Sequence, residues 1–542
     1  MPSQLHPKAW DVFLGDDPDR EYLMDGIVNG FSIVDTPVSD IPCYETCNYL
    51  SAENEKAKPK LDKLLKDEIS SGKISKCNKK PRCIHAYGAV PKKNSDKLRP
   101  ITDCSRPFGH SLNDHISYGK MRYKTVDFAS KFIKKGVFFA SVDIRAAYRS
   151  VCIRPEHRCL QGLKWQFGKL DKSKYEYYVD NFLCFGCSSS PGIFQRLSGA
   201  VTRMMKRMGY TCVYVEYLDD FLIIGDTYEQ CRIGQHALIK LLIRLGFYIS
   251  WDKLVSPCQN ITFLGLNLDS ITMSISLPND KIVKLQDTLR QFVSLKRVKK
   301  RDLQSLAGSL AFASTVIKAG RTFSRRVIDL VNSVKYGHYF IRLNDCFRLD
   351  CQFWLSFMNN PLFNGTAKIL DNDPIDISIL QTDSSFYGYG VFYNGEWLAG
   401  AWDEDPPHVP SGIDLKNNWE PFKCPDAIRS NINILELIPV LIAARRFGHL
   451  WQNKRVFVYT DNSSVLSYIN RATCKTSKHA MTYLRELFMI SALFNFHLTA
   501  RHLKGERNTI ADCLSRLNDP IKWNELMTYV LSNGIPFLLQ TR

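Results

Sequence analysis

Residues 212–225 read CVYVEYLDDFLIIG, two apolar runs on either side of a pair of acids. Their β-branched and aromatic residues predict two strands, and the Tyr217-Leu218-Asp219-Asp220 interruption predicts a sharp turn between them. A third run, VFFASVDI at residues 137–144, carries Asp143 near its end. Gathered into one sheet, the three runs would bring Asp143, Asp219 and Asp220 to one end of it. Clustered acids repel, and divalent metal relieves that repulsion. Two Mg²⁺ ions about 3.5 to 4 Å apart can activate a hydroxyl nucleophile and stabilise a leaving pyrophosphate. Asp-Asp alone is a common turn dipeptide, so the flanking strands are what make this pair a candidate site.

Composition shifts divide the rest of the chain. Residues 1–80 hold an irregular acidic start and then LDKLLKDEISSGKI at 61–74, a helical pattern with Gly72 as its stop. Residues 81–277 alternate short strand-like runs with helical patterns, which predicts an α/β or α+β layered domain. Residues 278–345 read as amphipathic helices with fourteen Lys or Arg against five Asp or Glu, half of the chain's net charge of +18. A linker or connection rich in Asn, Asp and Pro is expected over 346–375. A second strand-and-helix domain follows over 376–517, and a tail at 518–542 is too short for a domain of its own.

With 542 residues, 45% of them hydrophobic and 23% charged, the chain is globular rather than disordered or fibrous. Its positive excess favours a polyanionic partner, nucleic acid first and an anionic membrane surface second. The longest apolar runs, such as Leu437–Ala444, fall far short of the ~18 to 20 residues of a spanning helix. The start, MPSQLHPKAWDVFLGDD, shows no export signal. Seventeen scattered cysteines, with one C-x-x-C at Cys184 and Cys187, predict reduced and mostly buried thiols in an intracellular chain, cytoplasmic or nuclear.

A second acidic set lies downstream. Asp383 ends the run ISILQTD, Glu436 falls in the helical pattern ILELIPVL, Asp461 ends VFVYTD, and Asp512 falls in TIADCLSR. Two acids at strand ends, one on a helix packed beside them and one from a distant helix make another cage for two hard cations. His502, ten residues before Asp512 in ARHLKGERN, is expected on a mobile loop where it would shuttle protons.

YLDD between two apolar strands, with SVDIRAAYRSV upstream, resembles the palm motifs of reverse transcriptases, and further segments follow in that family's order. RPITDCSRPFGHSLND at 99–114 resembles the finger motif and FGCSSSPGIFQ at 185–195 the template-contacting motif. LGFYISWDK at 245–253 and FLGLNL at 263–268 resemble the lysine-bearing motif and the primer grip. The resemblance implies a right-hand polymerase: fingers beginning within 1–80, fingers and palm over 81–277, and a thumb over 278–345. Carried over by position, it implies that Asp143, Asp219 and Asp220 hold the metals and that Arg99, with Lys92 or Lys93, contacts the incoming triphosphate. Lys253 is implied to protonate pyrophosphate, and Tyr148 to exclude a ribose 2′-hydroxyl. Phe185 and Gly186 are implied to line the nucleotide site in the Phe-Gly form common in retrotransposons. Tyr217, Gln195 and Phe263-Leu264-Gly265 are implied nucleic-acid contacts, and the thumb run Lys299, Lys300 and Arg301 would grip phosphates.

The downstream set resembles ribonuclease H: TDSS followed by G-x-G, an LEL helix, TDN, and H-x9-D. With the flanks TDN-SSVLSYINR and GERNTIADCLSR, it looks most like the tethered domain of DIRS-type retrotransposons, with an added stretch over 403–431. The resemblances imply an α+β multidomain enzyme that copies RNA into DNA and hydrolyses the RNA of the hybrid. Two Mg²⁺ per active site are implied, with Mn²⁺ as a substitute. The implied partners are an RNA template, a DNA primer, the RNA–DNA hybrid and deoxynucleoside triphosphates, with no membrane and with a recombinase or integrase encoded elsewhere. One rival is a domesticated, catalytically silent nucleic-acid-binding module, which would tolerate loss of the acids, yet all seven are present. Another is a pararetrovirus-type viral polymerase, which genomic context would decide.

Overall fold

The computed structural model describes residues 4–91, 96–117, 121–317, 319–359, 366–368, 377–402, 418–452 and 454–532. Lys92, Lys93 and the first half of the 403–431 stretch lie outside the described residues. The chain divides into two compact units, Met1–Leu264 with Asp269–Ile271, and Gly265–Leu268 with Thr272–Arg542.

In the first unit the three apolar runs do form one sheet. Strands β1 (Phe138–Asp143), β2 (Val213–Tyr217), β3 (Asp220–Gly225) and β4 (Val255–Cys258) lie in the order β4-β1-β3-β2, every neighbour antiparallel. After Asp220, strand β3 is an unbroken apolar run because both faces are covered: Phe221, Leu222, Ile223 and Ile224 are all buried. Helices α1 (Ser190–Arg207) and α2 (Tyr228–Leu245) pack against the sheet. Pro191 sits in the first turn of α1, where its missing N–H costs nothing, and Thr227 caps α2 by accepting from Gln230 N. Gly246, at φ +100°, ends α2.

The acidic start is not irregular. Helices Pro7–Leu14 and Arg20–Asn29 place Trp10, Leu14, Leu23 and Ile27 in the same core as Phe221 and Ile223. Asp17 and Asp19, between those helices, pair with Arg203 at 2.7 and 2.9 Å, so the acids serve to dock the segment onto α1. The predicted lysine-rich helix spans Lys58–Ser70 and stops before Gly72, at φ +72°. Its Leu61 and Leu65 pack with Ile74, Tyr87 and Trp165 beneath the antiparallel hairpin Ala86–Pro91 and Leu98–Asp103.

The second unit begins with the predicted basic helices, α3 (Asn279–Ser294), α4 (Lys300–Ala313) and α5 (Arg325–Asn332). The first half of the expected linker is instead helix α6 (Asp345–Asn359), whose Phe347, Cys351, Trp354 and Met358 recur at helical spacing and are buried. A five-stranded sheet follows: β5 (Ile377–Ser384), β6 (Gly388–Tyr393), β7 (Glu396–Ala401), β8 (Arg455–Thr460) and β9 (His497–His502), in the order β7-β6-β5-β8-β9. The β7-β6-β5 meander is antiparallel, whereas β5, β8 and β9 are parallel. Helices α7 (Ile438–Phe447), α8 (Ser463–Arg471), α9 (Lys478–Leu493) and α10 (Thr509–Leu514) accompany it. The C-terminal segment is no mere tail. Helix α11 (Pro520–Ser532) buries Trp523, Leu526 and Val530 against Ile510 and Leu514 of α10 and Trp397 of β7.

Eleven of the seventeen cysteines are buried, and among the described residues no helix is long and apolar enough to cross a membrane.

His85 of the first unit is fully buried, with Nε2 at 2.7 Å from the Leu160 carbonyl and Nδ1 at 3.3 Å from the Tyr44 hydroxyl. Burial depresses its pKa to about 4. A depressed histidine pKa means that the unfolded chain binds the extra proton first, so stability falls as pH drops from 6.5 towards 4. Urea unfolding of the first unit should show that loss, and His85→Gln should flatten it; an unchanged slope would contradict the assignment.

Candidate active sites

The β-ladder fixes the first acidic cluster. Asp143 and Asp220 are direct partners in the β1–β3 register, and Asp220 also faces Tyr217 across the turn. The turn itself needs a left-handed residue, which Leu218 supplies at φ +54°. Such a conformation strains a leucine and must be held from outside. Gln195 of α1 does so, with Oε1 accepting from Leu218 N at 2.9 Å, while Ser198 Oγ donates to Leu218 O at 2.6 Å. Gln195 is buried, and its side-chain oxygen is committed to holding the turn. The Ile144 amide donates to Asp219 O at 3.0 Å, binding the turn back to β1.

The carboxylates repel as expected. Burial, then a hydrogen bond with Asp143 and the charge of Asp219, push Asp220 up to about 7. Burial, with Asp143's charge, also raises Asp219 against its own backbone hydrogen bond. Lys253 places Nζ 2.8 Å from Asp143 Oδ2. Burial opposes the charge on Lys253, but its hydrogen bond to Asp143 and the three acids outweigh that and hold its pKa above the usual range. The ammonium therefore stands where a cation is favoured.

Around the cluster, the predicted nucleotide residues form a chain of contacts. The Arg99 guanidinium lies 5.4 Å from the Phe185 ring centre, and Phe185 lies 5.0 Å from the Tyr148 ring, which in turn packs on Phe194 at 5.8 Å. Tyr148 is half-buried, and burial first, then the charge of Asp219, raise its phenol well above the usual range. Gly186 explains how this chain is set. At φ +123°, any Cβ there would collide with the Thr102 carbonyl, while the Thr102 amide donates to Phe185 O at 3.0 Å. That close approach fixes the Leu98–Asp103 strand, and with it Arg99, over Phe185.

Two further predicted nucleic-acid contacts, Phe263 and Lys300, sit in settings the sequence does not show. Phe263 is buried, followed by Leu264 and Gly265 at φ +47° and +76°, a tight reversal. Lys300 is only half-exposed, and its ammonium is taken by the Val334 and Lys335 carbonyls just beyond α5. Lys299 and Arg301 remain exposed, so the run offers two outward charges and not three. Tyr217 packs against Tyr123, with ring centres 5.1 Å apart.

In the second unit, ligand oxygens of Asp383, Glu436 and Asp461 all lie within 4.8 Å of one another. Asp383 sits near the end of β5, opposite Gly390 of β6. A Cβ at Gly390 would strike the Ala511 carbonyl, so the second glycine of the G-x-G is what lets α10 approach the site. Glu436 lies where the helical run breaks between Ile432–Leu435 and α7, with Pro439 in the first turn of the latter. Asp461 is exposed and follows β8, held by Asn462, whose side chain accepts from Ser464 N and Val465 N at the start of α8. Asp383 Oδ2 accepts from Ser515 Oγ at 2.6 Å, but buried Glu436 Oε2 has no hydrogen-bond partner. Burial, then the charges of Asp383 and Asp461, push Glu436 up to about 9. Three converging carboxylates with an orphaned buried oxygen fit a hard divalent cation.

Asp512 stands apart from that triad. It lines the same cavity of about 520 Å³, yet its carboxylate is paired with Arg516 and, at 3.0 Å, with Lys522 of α11. Burial raises Asp383 as it does Glu436, and the Arg516 charge offsets part of that rise in both. Neither cation was read from the sequence, although Arg516, four residues after Asp512, has the spacing of a helical ion pair. His502 is the last residue of β9, exposed and paired in register with Thr460, rather than on a loop.

Comparison with known proteins matches residues 75–268 to the family model described as reverse transcriptase (RNA-dependent DNA polymerase). The enzymatic polyprotein of Figwort mosaic virus (strain DxS) is 23% identical over 385 residues, 70% of this chain and 50% of that protein. That of Cauliflower mosaic virus (strain D/H) is 27% identical over 384 residues, with the same coverage. The chain thus spans about half the length of these curated relatives. Among solved structures, the foamy viral protease-reverse transcriptase with double-stranded DNA superposes with a TM-score of 0.51 at 14% identity, covering 92% of this chain and 97% of that one. A likeness at that identity is one of fold, and the mixed α/β, multidomain polymerase architecture is shared.

Binding of a cation to the folded cage alone stabilises it by mass action. Mg²⁺ should therefore raise the melting temperature of the second unit. Glu436→Gln should raise the metal-free value by roughly 2–4 °C for each kcal/mol of repulsion relieved and abolish the Mg²⁺ shift. A wild-type transition indifferent to Mg²⁺ would contradict the cage.

Proposed function

We propose that the chain is the polymerase of a retroelement, an RNA-directed DNA polymerase whose second unit carries a ribonuclease H over residues 376–517, after the basic helices of a thumb. The observation that carries the reading is the register pairing of Asp143 with Asp220, with Asp219 beside them, inside the region that matches the reverse transcriptase family. Divalent ions, Mg²⁺ with Mn²⁺ as a substitute, would supply nucleophile activation and charge neutralisation at both acidic sites. Asp143, Asp219 and Asp220 hold the ions of the first site, and Asp383, Glu436 and Asp461 those of the second, with Asp512 joining once its pairs with Arg516 and Lys522 loosen.

Other residues act on the substrates. Arg99 presents its fork to the triphosphate of the incoming deoxynucleotide, and Lys253 stands beside Asp143 to donate a proton to departing pyrophosphate. Phe185 and Tyr148 form the floor under the sugar and base. Gln195 and Ser198 are positioning residues that keep the Asp219-Asp220 turn in its strained shape. In the second unit we assign proton movement to His502, which pairs in register with Thr460, the residue before Asp461. The foamy viral enzyme has been solved with double-stranded DNA and with an RNA/DNA hybrid, and we assign the same classes of partner here, an RNA template and a DNA primer. A DIRS-type origin is our reading of the ribonuclease H flanks. A pararetrovirus-type polymerase is the second reading, favoured by the mosaic-virus polyproteins among the relatives.

DNA synthesis on a primed RNA template in Mg²⁺ tests the proposal. Asp219→Asn should reduce extension by orders of magnitude while hybrid cleavage survives, and Asp461→Asn should do the reverse. If either change abolished both activities in a folded protein, the two sites would not be independent.

Tyr148 gives a sharper test. Its ring occupies volume that a 2′-hydroxyl would need, and overpacking of that kind costs about 1 to 3 kcal/mol, or roughly ten- to hundredfold in rate. Tyr148→Ala should admit ribonucleotides by that factor in single-nucleotide incorporation, with deoxynucleotide use largely kept. Equal exclusion by both proteins would return Tyr148 to a purely core role.

A further inference from the structure

A short ribbon in the second unit carries a feature that neither acidic site uses. Strand Arg297–Lys299 pairs antiparallel with Phe340–Arg342, Arg297 facing Arg342 and Lys299 facing Phe340. Side chains alternate across a ribbon. Val298 and Ile341 point inward and are buried, so Arg297, Lys299, Phe340 and Arg342 share the outer face. Phe340 is 57% exposed, with the Arg297 and Lys299 cations at 5.5 and 5.9 Å from its ring centre.

The aromatic surface continues along the preceding loop. Tyr336 and Tyr339 are 47% and 44% exposed, and their rings meet edge to face at 5.2 Å. His338 lies within ring contact of both, nearly parallel to Tyr336 at 17°, and the Lys335 ammonium sits 5.3 Å from the Tyr336 ring. This loop is held in place. The Lys300 and Arg301 amides, at the start of α4, donate to the Tyr339 and Gly337 carbonyls at 2.8 and 3.0 Å. The Lys300 ammonium, bound to the Val334 and Lys335 carbonyls, fastens its other end. The nearby acids Asp329 and Asp345 are paired with Arg325 and Arg348 within their own helices, which leaves Asp302 in the first turn of α4 as the one neighbouring acid without such a pair among the described residues.

Contiguous exposed rings on a rigid support mark a binding surface. Rings interleaved with cations suit bases that stack and phosphates that pair. We propose that Tyr336, His338, Tyr339 and Phe340, with Arg297, Lys299 and Arg342, form a stacking platform for single-stranded nucleic acid, built from residues that neither acidic site uses. The chemistry favours a nucleic-acid strand over an anionic bilayer. Every protruding apolar group is aromatic, and the aliphatic residues that would insert into lipid, Val298 and Ile341, face inward. A duplex offers its stacked bases to no such surface, so the platform selects unpaired strands, the state of a template ahead of copying.

The inference rests on the nucleic-acid reading above, and its test is run without nucleotides so that the two can fail separately. Fluorescence anisotropy of the full chain would measure binding of oligo(dT), oligo(U) and a blunt duplex, and flotation would measure binding to phosphatidylserine vesicles. The double variant Tyr336→Ala with Phe340→Ala should weaken single-strand binding on the order of ten- to hundredfold and leave duplex binding unchanged. The aromatic pair Tyr336→Phe with Phe340→Tyr should restore it, which separates stacking from misfolding. The platform is overturned if the alanine variant binds oligonucleotides like wild type, if single-strand and duplex affinities fall together, or if only vesicle binding is lost. A chain that shows this pattern but extends no primer keeps the platform and loses the polymerase reading.

Discussion

Repulsion between buried carboxylates is the constraint around which the molecule is arranged. Asp143 and Asp220 occupy opposed positions of one β-ladder, with Asp219 next to them, and the ladder leaves them no freedom to separate. Asp383, Glu436 and Asp461 are crowded in the same way by a strand, a helix break and a second strand. Buried like charges cost stability unless something positive joins them. In both units the chain already brings a cation to the edge of the cluster, Lys253 in one and Arg516 in the other. These side chains are partial answers, since neither reaches every oxygen, and Glu436 Oε2 is left with no partner at all.

The surrounding structure keeps the acids in that unfavourable arrangement. Leu218 stays left-handed because Gln195 and Ser198 grip both sides of its peptide. Helix α1, which bears those two residues, is itself anchored by Asp17 and Asp19 from the amino-terminal segment through Arg203. Gly186 lets the Leu98–Asp103 strand touch the loop that carries Phe185, so that Arg99 is aimed over that ring by a backbone contact. In the second unit, Gly390 plays the corresponding part by admitting α10 to the sheet. A large share of each unit thus serves to hold charges where they repel.

The six clustered acids are legible in the sequence because each closes an apolar run or interrupts a helical one, a signal that depends only on local pattern. What escaped was the identity of partners. The sequence marks Asp512 as a ligand but not its ion pairs with Arg516 at the next helical turn and Lys522 beyond it. Lys300 was read as an outward charge, and its actual partners are backbone carbonyls, which carry no mark in sequence. The Leu218 amide that Gln195 holds is equally unmarked. Helices α6 and α11 had a visible signature, apolar residues three and four apart such as Trp523, Leu526 and Val530, but their Asn, Asp and Pro neighbours suggested linker and tail. Packing overrode composition there. The platform at Tyr336–Phe340 could not be read from sequence because its rings cluster only once the ribbon pairs Phe340 beside Lys299.

The account stands on the two acidic clusters being cation sites. Counting bound Mn²⁺ by electron paramagnetic resonance on the full chain, without nucleic acid, tests this most directly. The account predicts two separable classes of site, one lost in Asp220→Asn and the other in Glu436→Gln, with each variant keeping the class it does not touch. Binding that both substitutions leave intact, or a folded wild-type chain that takes up no Mn²⁺, would contradict it.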